Sequence, residues 1–385
     1  MNEVFIVGAV RTAIGVGKPG GALSTTSPIN LAAAVLREAP QRAGLEPGLI
    51  EDVVLGCVSP IGEQGANIAR LALLKAGYPV HVPGVSLNRM CGSSQQAIHF
   101  AAQAVASGEM QVVVAGGIEV MSRVPIGADW PSTWPSDFPY PLIHQGMSAE
   151  MIAEKWGLTR DQIDDFSYQS HMRAGQAIRE GRFAAQILPV EVTHVAEGGA
   201  PVTRTFAQDE GVRMPPNRDK MAALKPAFKP EGVVTAGNSS QISDGAAAAV
   251  LVSAKAVRDH RLTPHARIVS TAVVGSDPVL MLDGPIPATR KILARAGLRL
   301  DQIDVIEINE AFATVVLAWQ KEIGPDPARV NPNGGAIALG HPLGATGAVL
   351  MTKMLNELER SGGRYGLQTM CIGHGMATAT IIERV

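Results

Sequence analysis

Aromatic residues are scarce, at 4% of the 385-residue chain. A core without them must rest on Ala, Val, Ile and Leu, and the 46% hydrophobic content is ample for one. Cysteine is nearly absent. Cys57, Cys91 and Cys371 leave one over after any pairing, and their spacings match no zinc motif. That excludes a disulfide framework, and the expected setting is a reducing one, the cytoplasm. Neither sign of charge is in excess: 33 Lys plus Arg stand against 35 Asp plus Glu, a formal charge of −2. The balance excludes the basic footprint of a nucleic-acid protein and the acidic composition of a disordered chain. No run approaches the roughly 18 apolar residues of a membrane span. Met1-Asn2-Glu3 ahead of Val4-Phe5-Ile6-Val7-Gly8 lacks a basic region, so the start reads as a first strand and not a signal peptide.

Glycine is plentiful, with 41 residues. In an apolar, non-repetitive chain this implies tight turns and close backbone approach. Short, β-branched, glycine-bounded runs at 4–7, 53–55, 112–115, 248–252, 303–308 and 367–371 read as buried strands. Between them, 29–42, 93–107, 288–296 and 345–360 read as helices. The alternation predicts a layered α/β protein. Two tracts echo each other. Val85-Ser86-Leu87-Asn88 leads through a turn to the 93–107 helix, the 112–115 strand and Gly116-Gly117. Val330-Asn331-Pro332-Asn333 leads through a glycine-rich turn to the 345–360 helix, the 367–371 strand and Gly373. Two similar halves are expected, about 1–265 and 266–385. Residues 125–141 break the pattern with five prolines and Trp130, Trp134, Phe138 and Tyr140. Helices are expected next at 148–157 and 160–180, and 189–230 reads as polar and irregular. The stretch 121–241 is therefore taken as an inserted loop subdomain.

Four segments could carry chemistry. Cys91 precedes Gly92-Ser93-Ser94 and a helix, where the helix dipole is expected to lower a thiol pKa; a small buried residue is the alternative. Cys57 lies mid-strand and reads as buried. His341 sits in Asn333-Gly334-Gly335-Ala336-Ile337-Ala338-Leu339-Gly340-His341-Pro342-Leu343-Gly344, where it is the natural base. The run lacks the order of a phosphate loop. Cys371 and Gly373 follow a strand, at the sheet edge where α/β sites form. Asn309, after the 303–308 strand, could orient a water or a carbonyl, or cap a turn. Two thiols, an imidazole and an amide are the inventory for acyl transfer through a thioester.

In this order and spacing the four segments resemble the thiolase family over nearly the whole chain. Further matches are Val10-Arg11-Thr12-Ala13, Gly117-Ile118-Glu119-Val120-Met121-Ser122, Thr235-Ala236-Gly237-Asn238-Ser239-Ser240 and Ser243-Asp244-Gly245-Ala246-Ala247. The resemblance implies two similar βαβαβαββ halves in α/β/α/β/α layers. It implies cleavage of 3-ketoacyl-CoA by CoA, with Cys91 as nucleophile, His341 as its base and Cys371 as the second acid/base. The His341 side chain with a water held by Asn309 would form one oxyanion hole, and the Cys91 and Gly373 N–H groups another. Ser240 would contact the pantetheine arm, with Ala236, His144 and Phe312 lining its tunnel and Arg213 near the adenine. CoA is then a substrate, with no resident cofactor or metal. A homodimer or homotetramer is expected, with a β-oxidation complex as a potential partner. The sequence departs from the common pattern at His374 and Ala377, where glycine is usual. It also departs at Gln145, where biosynthetic members often have Met, and at Asp283, an acid expected near the acyl pocket. These changes favour a degradative enzyme for long or bulky, even steroid-derived, acyl chains. The alternatives are a biosynthetic thiolase, a decarboxylating condensing enzyme and a non-catalytic CoA- or lipid-binding subunit.

Overall fold

All but one of the apolar runs become strands longer than their hydrophobic centres; the run at 303–308 narrows to Val305–Ile308. A computed structural model describes residues 2–195 and 200–385. Its principal strands are β1 (Val4–Thr12), β2 (Asp52–Gly56), β3 (Gly84–Leu87), β4 (Val112–Val120), β5 (Ser243–Ser253), β6 (Ala266–Gly275), β7 (Val305–Ile308), β8 (Tyr365–Ile372) and β9 (Met376–Arg384). Its principal helices are α1 (Pro28–Arg42), α2 (Ile68–Lys75), α3 (Ser93–Ser107), α4 (Gln145–Trp156), α5 (Arg160–Arg179), α6 (Pro285–Ala296), α7 (Ala313–Ile323) and α8 (Thr346–Ser361). Every residue of β4 and β5 is buried, as a strand covered on both faces requires. Sequence patterning missed β6 and β9, whose interspersed Ser, Thr and Arg residues dilute the apolar signal.

The spatial order is β7-β8-β9-β6-β1-β5-β4-β2-β3. β1 meets β6 through the pairs Phe5–Arg267 and Ile6–Ala266. On either side of that seam the topology repeats. β1 and β6 pair antiparallel with β5 and β9, which pair antiparallel with β4 and β8. Those pair parallel with β2 and β7. Outside β2 lies β3, and outside β7 a single parallel bridge from Ile306 to Val330 takes its place. The echo between Val85 and Val330 is thus a duplicated architecture.

Helices α3 and α8 pack on each other and on strands of both halves. They form the middle of five layers, with α1 and α2 outside one half and α6 and α7 outside the other. The middle layer is closed by polar side chains with matched partners. Gln95 Nε2 donates to Thr380 Oγ1 at 2.7 Å, and Thr378 Oγ1 donates to Gln95 Oε1 at 2.7 Å. Ser94 Oγ accepts from the Ala348 N–H at 2.9 Å, so one central helix caps the start of the other. Close approach requires glycine here: a Cβ on Gly347 would lie 2.3 Å from the Gln95 nitrogen, and one on Gly117 would lie 2.0 Å from the Gly344 oxygen.

Residues 121–241 hold α4, α5 and a short helix at Arg218–Ala222. The expected irregular stretch at 189–230 instead contains a hairpin of Val190–Val195 with Pro201–Phe206. Its β-branched residues form a two-stranded ribbon despite the polar composition. Among the described residues no helix is long and apolar enough to cross a membrane.

Candidate active site

Cys91 stands on a turn locked by its neighbours. Asn88 Oδ1 accepts the Met90 N–H at 2.7 Å, while Ser93 Oγ accepts the Arg89 N–H at 2.9 Å and donates to the Met90 carbonyl at 2.6 Å. Met90 is thereby held left-handed, at φ 46°, a conformation that costs a residue with a Cβ about 1–2 kcal/mol. Gly92 lets the opposite half come close: a Cβ there would lie 2.3 Å from Ile372 Cδ1. That contact brings the end of β8, with Cys371 and Gly373, against the Cys91 turn.

His341 is held by its own backbone. Its N–H is shared between Ser243 Oγ at 3.1 Å and the Gln241 carbonyl at 3.2 Å. The loop that carries it is tied down by Glu119, a carboxylate within the unbroken apolar run of β4. Glu119 accepts from the N–H groups of Gly344 and Val58, both at 2.8 Å, and from Gln64 Nε2 at 2.7 Å. Leu343, two residues beyond His341, packs with Cys91, Met370 and Val58. The ring's tautomer follows from its partners. Thr346 Oγ1 spends its proton on the Pro342 carbonyl at 2.8 Å, so His341 Nδ1 must donate to Oγ1 at 2.6 Å. Nε2 then carries the lone pair, and Asn309 Nδ2 donates to it at 3.3 Å. Asn309 reaches this point because its own N–H continues the β7–β8 ladder onto the Thr369 carbonyl.

Burial sets the electrostatics. Cys91, Cys371, His341 and Asn309 are all buried. Desolvation pulls His341 down to about 4, so it is neutral at physiological pH. Desolvation also pushes Cys91 up to about 11, which corrects the expectation of a lowered thiol pKa. Cys91 precedes the helix cap Gly92, and the loss of water outweighs the donors around the sulfur. Three of these oppose it: the Gly373 N–H, the Cys91 N–H and the Gln145 carboxamide. Cys371 is pushed up further, by burial and by repulsion from a charged Cys91. At rest Cys91 is thus a neutral thiol and His341 a neutral base.

The residues expected to meet the pantetheine arm cluster in part. The His144 ring stacks on Phe228 at 5.0 Å, and Phe228 meets Phe312 edge-on at 6.0 Å. Ser239 bridges to Phe312, and the Ser240 N–H donates to the Ala311 carbonyl at 2.9 Å. Ala236 lies exposed on the adjoining turn. Arg213 lines a separate cavity of about 420 Å³ with His171, Met172 and Arg179. A second cavity of about 410 Å³ is walled by Trp130, Trp134, Phe138, Tyr140, Met281 and His374. Met281, and not Asp283, faces it; Asp283 lies 4.0 Å from Lys155. His374 points outward, edge-on to Trp134 at 6.5 Å. Ala377 is fully buried, at a spot where a Cβ on Gly284 would lie 2.8 Å from its own.

Residues 4–255 match the family model for the thiolase N-terminal domain, and residues 262–384 match that for the thiolase C-terminal domain. The chain belongs to the thiolase family. Steroid 3-ketoacyl-CoA thiolase FadA6 of Mycobacterium tuberculosis is 52% identical over 399 residues, covering 100% of this chain and 95% of that protein. The β-ketoadipyl-CoA thiolase of Pseudomonas aeruginosa is 44% identical over 408 residues, covering 100% of both chains. The crystal structure of the Bacillus anthracis acetyl-CoA acetyltransferase superposes with a TM-score of 0.92 at 39% identity, covering 100% of this chain and 99% of that one. The thiolase is accordingly an acyltransferase that uses acyl-CoA and CoA. The sequence assigned no role to Thr346, Glu119 or Ser243, although Glu119 and Ser243 lie in segments that resemble the family. Glu119 had a signal, a lone charge in a strand of otherwise small and apolar residues.

Proposed function

We propose that this thiolase cleaves 3-ketoacyl-CoA with CoA, releasing acetyl-CoA and an acyl-CoA shortened by two carbons. The reading rests on two buried thiols close enough for Cys91 to repel charge on Cys371, and on a neutral imidazole with its lone pair on Nε2, carried by a loop whose Leu343 packs with Cys91. His341 Nε2 takes the Cys91 proton as the sulfur attacks the 3-keto carbonyl. The C2–C3 bond then breaks, leaving the acyl group on sulfur. The departing acetyl-CoA enolate takes its proton from Cys371. The Cys371 thiolate next deprotonates the incoming CoA thiol, which attacks the acyl thioester and expels Cys91. Cys91 regains its proton from His341, and the cycle closes. His341 and a water held by Asn309 stabilise the enolate oxygen, while the Cys91 and Gly373 N–H groups stabilise the tetrahedral one; such donors are worth about 3–4 kcal/mol each. Ser240, His144, Ala236 and Phe312 form the wall for pantetheine, and Arg213 meets the adenine end.

The acyl group would be bulky and ring-bearing. The aromatic cavity of about 410 Å³ supports this, since rigid aromatic walls suit a wide apolar group. The steroid name of a 52% identical relative points the same way. A pathway that shortens fatty or steroid side chains by β-oxidation would use this reaction. A biosynthetic role is the second reading, favoured by the name of the superposed Bacillus enzyme. Turnover along a series of 3-ketoacyl-CoAs, from four carbons to a fused-ring side chain, separates the two. The degradative reading expects kcat/KM to rise with bulk, and a maximum at four carbons overturns it. The exposed Val85 on edge strand β3 supports a homo-oligomer, which light scattering at micromolar concentration tests.

A further inference from the structure

Gln145 is the first residue of α4, and the start of that helix is fixed firmly. His144 Nδ1 accepts the Gly146 N–H at 3.0 Å, and Glu150 accepts the N–H groups of Val233 and Val234 at 3.0 and 2.9 Å. Gly146 lies so close to Phe228 that a Cβ there would come within 2.2 Å of the ring. The helix therefore cannot drift from the site, and it presents the Gln145 side chain to the end of β8. A Cβ built on Gly373 would lie 3.0 Å from Gln145 Nε2. The carboxamide is thus packed on the residue whose N–H faces the Cys91 sulfur. Among the described residues it has no oxygen or nitrogen partner.

We propose that Gln145 is a catalytic donor whose Nε2–H hydrogen-bonds the Cys91 sulfur whenever that sulfur carries negative charge. The inference rests on Cys91 being the nucleophile. The sulfur is charged twice in each turnover: as His341 takes its proton, and again as the acyl group leaves for CoA. A buried thiolate without water needs donors, and a charge-assisted hydrogen bond is about twice as strong as a neutral one. The backbone N–H groups of Cys91 and Gly373 are also required by the acyl oxygen. A side-chain donor on the other flank lets the sulfur keep a partner while those two serve oxygen. A methionine at 145 has no proton to give.

The test is the pH dependence of Cys91 alkylation by iodoacetamide, followed by mass spectrometry on the full-length protein. The other titratable groups of the site, Cys371 on β8, His341 on its loop and Glu119 on β4, are all left intact. In Gln145→Met the alkylation profile should move up by about one pH unit, slowing the reaction about tenfold at pH 8. Gln145→Glu, of the same size but acceptor-only when ionised, should slow it further. Both half-reactions should slow together, with KM for CoA nearly unchanged. A profile in Gln145→Met that overlays that of the parent overturns the proposal, as does Gln145→Glu at parental rate. Should one variant fail to fold by circular dichroism, the other supplies the same readout. Failure of the thiolase reading is a separate outcome: the parent protein would then form no acyl-enzyme from a 3-ketoacyl-CoA, whatever its alkylation profile.

Discussion

Residues 84–107 and 330–361 trace the same path, from an edge segment through a turn into a buried helix. Each turn contains one left-handed residue that is not glycine, Met90 at φ 46° and Asn331 at φ 44°. Beyond these two residues the paths part. After Met90 the chain enters Cys91, Gly92 and the helix at once. After Asn331 it makes a detour through residues 332–345, and that detour carries His341. The left-handed residues also differ in work. Asn331 pins β7, accepting the Ile308 N–H and donating to the Ile308 carbonyl, both at 2.9 Å. Met90 makes no such bonds, and the turn around it delivers a sulfur. The strands after the two helices diverge as well. β4 runs out into the long 121–242 excursion, whereas β8 turns back on itself within three residues, Gly373, His374 and Gly375. Duplication supplied two copies of a scaffold, and each copy was elaborated at a different point. In the proposed reaction one half contributes the nucleophile and the other the groups that move protons, so neither would be complete alone.

The comparison breaks most sharply at the sulfur. Cys91→Ala should abolish the acyl-enzyme and lower turnover by about 10⁴-fold or more. Cys371→Ala should still form an acyl-enzyme slowly, with turnover falling about 10³-fold. Labelled acyl-CoA and peptide mass spectrometry read both outcomes. Label on Cys371 instead of Cys91 would reverse the roles assigned to the two halves. Asn309→Ala should cost about 100- to 1,000-fold in kcat, as loss of an oxyanion donor does. Binding of CoA, measured by calorimetry, should hold.

Thr346→Val sharpens the role of the second half. It deletes the acceptor that fixes His341 Nδ1 as the protonated nitrogen, a single hydrogen bond worth about 1–1.5 kcal/mol, or roughly tenfold in rate. Thr346→Ser should restore it. In the parent enzyme His341 is held near 4 by burial, so the base is free above that pH and is lost as pH falls through about 4. The acid limb of kcat/KM should therefore lie near 4, well below the 6.5 of a solvated histidine. An acid limb near 6.5 would mean that the imidazole is hydrated in the working enzyme.

The strands, the central helices and the chemical inventory were legible because each leaves a local mark: β-branched runs, glycine boundaries, and reactive residues at element ends. The pKa of Cys91 was not. Its position before a helix reads as acidifying, but the desolvation that reverses the sign comes from burial among Val58, Met121, Leu343, Leu350 and Met370, all distant in sequence. Thr346 was hidden for a related reason. A threonine at the start of the expected 345–360 helix reads as an ordinary helix residue, and its task appears once its hydroxyl is seen to spend its proton on the Pro342 carbonyl. Gln145 stands out in the sequence only as a departure from a pattern. That it packs on Gly373 required the helix start to be placed over the end of β8.

His374 offers the smallest effect and a test of the hairpin that ends β8. It holds φ 64° beside Gly375 at φ 76°, so two successive residues are left-handed and one carries a Cβ. That conformation costs about 1–2 kcal/mol. Glycine would remove the strain but give back about 0.5–1 kcal/mol of unfolded-chain entropy. The contact with Trp134 would also be lost. His374→Gly should therefore stabilise the protein by less than about 1 kcal/mol, read as a small upward move of the urea midpoint. If the aromatic cavity holds bulky acyl groups as proposed, turnover of a short acyl substrate should be unchanged. A ring-bearing substrate should lose several-fold in kcat/KM, because the imidazole is part of the wall it rests on. If both substrates slow equally, His374 acts on the Gly373 donor and not on the cavity, and the strain is then a feature of catalysis instead of specificity.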